Sequence, residues 1–199
     1  DTLNLGAGNL LSNISGGTGT TNIVGAVTNT GDKTITQNSV TIDSTSSLTT
    51  KADKVTATTG IANEGTLNLN VGTLGSNVTG TGTTVILSGT DAENLNVVTA
   101  NANITQDDLT IENYAKLINN SGKAIVVNDD LSNSGTITNV GTVTINGATS
   151  NAGTIDGTGS LVLNENFENA GTISQGALTV ASGKTLTNDA TKSLTVTTT

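Results

Sequence analysis

The sequence contains no cysteine, proline, methionine, tryptophan or histidine, and it has one Phe and one Tyr. Its seven basic residues are all lysine. Each absence removes a class of protein. Without cysteine there is no disulfide framework or thiolate metal site; without histidine there is no imidazole ligand and no nucleophile activated by one. Without tryptophan, and with Tyr114 alone, the usual stacking platforms for sugar rings are missing. Sixteen acidic residues against seven lysines give a net charge of −9. Such a chain has no electrostatic footprint for a phosphate backbone and is repelled by an anionic membrane surface. No apolar run approaches the roughly 18 residues of a membrane-spanning helix. The start, Asp1-Thr2-Leu3-Asn4-Leu5, lacks the basic and apolar regions of a signal peptide, so the chain is expected to be a mature or excised segment.

What is present is narrow in kind. Thr (41), Asn (26) and Gly (24) dominate the 199 residues, and Ile, Leu and Val add 48 more. The polar bias favours disorder, but the aliphatics are evenly spread and alternate. Val40-Thr41-Ile42, Leu67-Asn68-Leu69-Asn70-Val71, Val143-Thr144-Ile145 and Leu178-Thr179-Val180 each place apolar side chains two apart. That is the strand period, with one face in and one out. Gly, Asn and Thr are poor helix formers, so the chain is expected to be all-β. The stretch 91–116 is the exception, where a helical turn or a loop is compatible with the pattern.

Self-similarity organises the rest. Asn133-Ser-Gly135-Thr-Ile137 recurs as Asn151-Ala-Gly153-Thr-Ile155 and as Asn169-Ala-Gly171-Thr-Ile173, at steps of 18, with a degraded copy from Asn188. Leu131, Thr149, Phe167 and Leu186 hold one position before these motifs, and Val143, Leu161 and Leu178 one after. Asn63-Glu-Gly-Thr-Leu67 matches the motif earlier in the chain, and Asn29-Thr-Gly31 and Asn120-Ser-Gly122 match its first half. A second echo links Ser12-Asn-Ile-Ser-Gly16 with Ser76-Asn-Val-Thr-Gly80, each running on into Gly-Thr-Gly-Thr-Thr, with a shorter form at Gly157-Thr-Gly-Ser160.

A repeat of this length, made of short strands and Asn/Gly turns, cannot close a core by itself; stacked, its apolar positions form one column. The expected fold is a parallel β-helix, a single β-solenoid over residues 1–199. It has about ten coils of roughly 18–20 residues and a length of about 50 Å. Coils in 1–130 are less regular and those in 131–199 most regular. Asn133, Asn151 and Asn169 are expected to form an amide ladder. Gly135, Gly153 and Gly171 should supply positive-φ corners. Ile137, Ile155 and Ile173 should form an inward column. An antiparallel sandwich is the alternative, but it calls for aromatic core residues and hairpin turns, and both are scarce.

The run Asn133 to Val180, with its Asn-x-Gly-Thr-Ile and Gly-Thr-Gly-Ser-Leu-Val-Leu pieces, resembles the passenger region of bacterial autotransporter adhesins and filamentous-haemagglutinin-like exoproteins. The resemblance implies a right-handed β-helix displayed outside the cell, and roles in adhesion, aggregation or biofilm. The translocator barrel of that family, with its alternating aromatic-rich strands, has no counterpart here.

Chemistry finds little footing. Acidic doublets occur only at Asp107-Asp108 and Asp129-Asp130, with Asp91 and Glu93 as a looser pair. No lysine adjoins a doublet, so no acid/base pair for polysaccharide cleavage is evident. The chain is therefore expected not to be an enzyme, to carry no cofactor and to bind no nucleic acid. For calcium, Asp129 and Asp130 beside Asn128 are the nearest approach to a ligand set, although no known calcium-loop pattern is present. Asn-x-Ser/Thr sequons at Asn13, Asn77, Asn103 and Asn119 are chance matches in such a composition. Thr-x-Thr pairs such as Thr34-Ile-Thr36, Thr136-Ile-Thr138 and Thr142-Val-Thr144 read as outward strand positions, not an ice-matching array.

Two functions follow. One is a non-catalytic, extracellular surface solenoid serving adhesion or as a rigid stalk, with a host or neighbouring cell as partner. The other is a self-assembling structural subunit of an extracellular filament or surface layer, whose copies join end to end through their terminal strands. Both terminal strands alternate without proline or a charge cluster to blunt them, which places Leu3, Leu5, Leu194 and Val196 at the joint.

Overall fold

The computed structural model describes residues 1–197; the last two residues of the expected domain, 198–199, lie outside the described residues. It is a β-solenoid of about ten coils. Each full coil contributes one short strand to each of three faces, and the paired strands run parallel, one coil apart. The first face has ten strands, from Thr2–Leu5 to Ala177–Val180. The second also has ten, from Gly8–Asn9 to Leu186–Asn188. The third begins as three strands (Ile14–Ser15, Ile35–Gln37, Val55–Ala57) and continues as seven, from Gly72–Leu74 to Ser193–Val196. The helical content among the described residues is one 3-10 turn, Ala52–Lys54.

Alternation sets which side chains enter. In Thr142–Ile145, Val143 and Ile145 are buried while Thr142 and Thr144 face out. Register then stacks like on like. Ile125, Val143, Leu161 and Leu178 form one column of the first face. Leu117, Ile137, Ile155, Ile173 and Leu194 form one of the third. Thr149, Phe167 and Leu186 stack in the second, with Phe167 filling the core. Each fully buried branched aliphatic contributes about 1.5–3 kcal/mol, and every inner coil supplies several.

Coil length varies more than the repeat implies. Paired residues stand 18 apart at Asn133 and Asn151 but 26 apart at Asn77 and Asn103. The excess is a loop over 87–95, between strands Thr83–Ile86 and Asn96–Ala100, so the ambiguous stretch holds a loop and strands rather than a helical turn. A second correction concerns the earlier motif copies. Asn63 ends a strand of the first face, whereas Asn133 ends one of the second. Likewise Ile14 lies on the third face and Val78 on the first. The echoes repeat from corner to corner as well as from coil to coil, because each corner poses the same problem of turning a stacked strand. For the same reason the Thr-x-Thr pairs scatter: Thr34-Thr36 and Thr136-Thr138 lie along the third face, Thr142-Thr144 on the first.

Candidate functional site

Two kinds of feature stand out from the aliphatic columns: buried amides at the corners, and the open coils at the two ends. The expected amide ladder is present and longer by one rung. Asn133 Nδ2 donates to Asn151 Oδ1 at 2.7 Å, Asn151 to Asn169 at 2.9 Å, and Asn169 to Asn188 at 2.6 Å. The same nitrogens also reach backbone carbonyls, such as Thr154 O from Asn133. The top of the ladder is left incomplete. Asn133 pairs upward with Ile111, which has no donor, and Asn133 Oδ1 is buried without a partner.

Gly135, Gly153 and Gly171 keep their place in this corner, but not for the expected reason. None of them has a positive φ. They stack backbone on backbone, so tightly that a Cβ on Gly153 would stand 2.2 Å from Gly135 O, and one on Gly171 2.0 Å from Gly153 O. Close approach, rather than a left-handed turn, demands glycine there.

A second amide device has no counterpart in the repeat motif. Asn63 Nδ2 donates to Gln106 Oε1 at 2.5 Å, two coils away, and Asn139 Nδ2 donates to Gln175 Oε1 at 2.8 Å, again two coils away. In each case the intervening coil places a glycine between them, Gly80 and Gly157, with φ of +124° and +116°. A glycine has no side chain to block the reach, and its φ is one that L side chains rarely adopt. One signal for this lay in the composition. The chain has three glutamines, and the third, Gln37, also stacks on a glycine, Gly16, whose φ is not positive. A Cβ on Gly16 would stand 3.3 Å from Gln37 Nε2, and one on Gly19 2.9 Å from its Oε1. Gln37 is 7% exposed, and its amide makes no hydrogen bond among the described residues.

The carboxylates go elsewhere. Asp107-Asp108 and Asp129-Asp130 do stack in adjacent coils: Asp130 N donates to Asp108 Oδ1 at 3.2 Å, and Asp129 N to Asp107 O at 2.8 Å. Yet no three acidic side chains among the described residues converge to hold an ion. Asp129 and Asp130 therefore sit together without a third oxygen donor of their kind. Asp130 also borders a shallow recess of about 510 Å³ on the second face, with Thr149, Ser150, Glu168 and Thr187. Asp91 organises the 87–95 loop. Its Oδ1 accepts from the Glu93 and Asn94 backbones at 2.9 Å each, and the Asn94 side chain bonds both carboxylate oxygens. These bonds, the Asn94 side chain's first, hold the Asp91 carboxyl below its ordinary range. The Lys51–Asp32 and Lys184–Glu165 pairs, at 2.8 and 2.5 Å, link neighbouring coils at the surface, where such pairs contribute little.

At the ends, Leu3 and Leu5 lie on the strand Thr2–Leu5, and Leu194 and Val196 on the strand Ser193–Val196. Leu3 is 45% exposed, Leu194 39% and Val196 40%, while Leu5 is partly buried against the core. No helix among the described residues is long and apolar enough to cross a membrane. Comparison with known proteins gave no match to a family model, to a curated protein or to a solved structure.

Proposed function

We propose that this chain is a non-catalytic, extracellular β-solenoid that serves adhesion at a cell surface, as a rigid stalk or exported passenger. The observation that carries the reading is the stack of paired strands, unbroken on two of the three faces, across about ten coils. At about 4.8 Å per strand it makes a rod of roughly 45–50 Å. Rods of this kind project a surface away from an anchor, and the outward positions of the first face are Thr, Ser, Asn, Ala, Gly and Val, small side chains that present a flat, uncharged strip. The resemblance of Asn133 to Val180 to autotransporter and haemagglutinin-like passengers supports the same reading, and with it an extracellular location. Beads coated with the purified chain should attach to host or bacterial cells. Attachment no better than that of albumin-coated beads would remove adhesion as the function.

A second reading follows from solenoid geometry. Wherever a coil stack is left open, its aliphatic side chains and unpaired strand edges meet the condition for a heterologous contact that does not close. In this reading the chain is a structural subunit whose copies join end to end. Negative-stain microscopy at two concentrations separates the two: isolated rods support the stalk, fibres that grow with concentration support the subunit.

A further inference from the structure

The coil with the 87–95 insertion carries a recess on the flank of the solenoid, where the second face turns into the third. It measures about 430 Å³. Asn70, Ser88, Thr90 and Asn94 line it with amides and hydroxyls, Val71 and Leu95 give it an apolar wall, and no charged residue lines it. The loop that forms one side is tied down. Ser88 N donates to Glu112 Oε2 at 2.6 Å, and the Ser88 hydroxyl donates to Asn113 O. Gly89 N and Asn96 N both donate to Tyr114 O, at 3.1 and 3.0 Å. Asp91 holds the tip through Glu93 and Asn94. An insertion pinned at both ends makes a preformed wall, and insertions in solenoids are where binding surfaces arise.

Register gathers apolar side chains at the same place. Leu95 precedes the strand Asn96–Ala100 and Tyr114 precedes Ala115–Asn119; Asn96 pairs with Ala115, so Leu95 and Tyr114 stack one coil apart. Gly72 pairs with Val98, which sets Val71 beside Val97. Val71, Leu95 and Tyr114 are exposed, so outward positions of three successive coils form one apolar patch at the rim of the recess. Tyr114 is also the one non-glycine residue with a positive φ among the described residues, at 58°. A bulky side chain is strained in that region, where glycine is not. The corner uses only the backbone oxygen of Tyr114, which a glycine would supply equally well. Turning the chain therefore does not account for the ring, and strain of this sort gathers at functional sites.

We infer that this recess binds a neutral saccharide, with Tyr114 and Leu95 against the C–H face of a sugar ring and Asn70 bonding its hydroxyls. A sugar ring pairs one apolar face with a rim of hydroxyls that donate and accept, and asparagine, serine and threonine side chains do both. The Asn70 side chain is free for this, since it makes no hydrogen bond among the described residues and lines the recess. The volume falls within the range of about 300–1,000 Å³ of small-ligand sites. Around the rim Asp91, Glu93 and Glu112 outnumber Lys116, which disfavours an anionic sugar. One aromatic ring is too few for a long polysaccharide cleft and suits a short or terminal sugar. This rests on the adhesion reading above and names its ligand class.

The chain has one tyrosine and no tryptophan, so its tyrosine emission reports Tyr114 alone. On an array of neutral and sialylated oligosaccharides the chain should retain neutral ones. A retained sugar, titrated in solution, should change that emission. Tyr114→Gly relieves the backbone, so it should hold or raise the melting temperature. By calorimetry it should bind the same sugar about tenfold more weakly or worse, the loss of one stacked ring. Asn70→Ala should also weaken binding, with its tyrosine emission still in place to report it. No retained sugar, retention of sialylated ones alone, or full-strength binding by both variants would overturn the inference. Beads coated with the chain separate this from adhesion itself. Attachment to cells with no sugar retained on the array overturns the saccharide site and leaves adhesion standing. Attachment that Tyr114→Gly abolishes but deglycosylation of the cells does not would give the patch to a protein partner instead. A retained neutral sugar without attachment supports the site and overturns adhesion.

Discussion

Asn139 donates its side-chain amide to Gln175 at 2.8 Å, although the two residues stand two coils apart with Gly157 between them. The bond exists because glycine leaves a gap in the corner column that only a longer amide on the far side can close. Asparagine stacks on the next rung, as at Asn133 and Asn151, while glutamine reaches past an empty one.

That geometry makes Gly157 sensitive. Its φ is +116°, and a Cβ would stand 2.2 Å from Asn139 O. Gly157→Ala should lower stability by about 2 kcal/mol or more through strain and the displaced amide pair. Gly31→Ala meets nothing within 4 Å and has no positive φ, so it should be neutral or stabilising by about 0.4–1 kcal/mol. Urea unfolding of both variants checks this; equal losses would contradict the role given to Gly157.

The inward and outward assignments are tested by one charge placed on each side. Ile155 is fully buried between Ile137 and Ile173, whereas Thr144 faces out. Ile155→Asp should cost about 4 kcal/mol or more and melt the adjacent coils, because it buries an unpaired carboxylate. Thr144→Asp should stay within about 1 kcal/mol. Thermal unfolding followed by circular dichroism distinguishes them.

The 87–95 loop should respond to acid. Asp91 has a folded-state pKa below its ordinary value of 3.8, owing to hydrogen bonds from Asn94 and Glu93. Its contribution is therefore fully present above the unfolded value, and is lost as pH falls through the lowered one. Amide exchange at Glu93 and Asn94, corrected for intrinsic rate, should keep its protection at pH 5 and lose it in stronger acid. Asp91→Ala should lose that protection at both; protection that survives the substitution would remove Asp91 as the organiser of the loop.

Divalent ions should leave the fold unaffected. Asp129 and Asp130 stack on Asp107 and Asp108, but no three acidic side chains among the described residues converge there, and carboxylates are the ligands on which calcium affinity depends most. Melting temperatures with calcium and with chelator should coincide. A rise with calcium that Asp130→Asn abolishes would restore these residues as ligands.

Much of this architecture is legible in the sequence. Alternation in Val143-Thr144-Ile145 settles which side chains enter, and the step of 18 from Asn133 to Asn151 predicts their stacking, down to the degraded rung at Asn188. These are local or periodic properties, so composition and spacing carry them. Tertiary structure alone decided the corners. Asn63 and Asn133 head nearly the same five-residue motif, yet they end strands of different faces, because insertions such as the 87–95 loop change how many residues each coil spends before turning. It alone decided, too, why Gly153 must be glycine: the neighbouring backbone leaves no room for a Cβ, and that crowding comes from a coil 18 residues away. The reach of glutamine across glycine has the same origin. Three glutamines scattered along a chain mean little until stacking brings each over a gap.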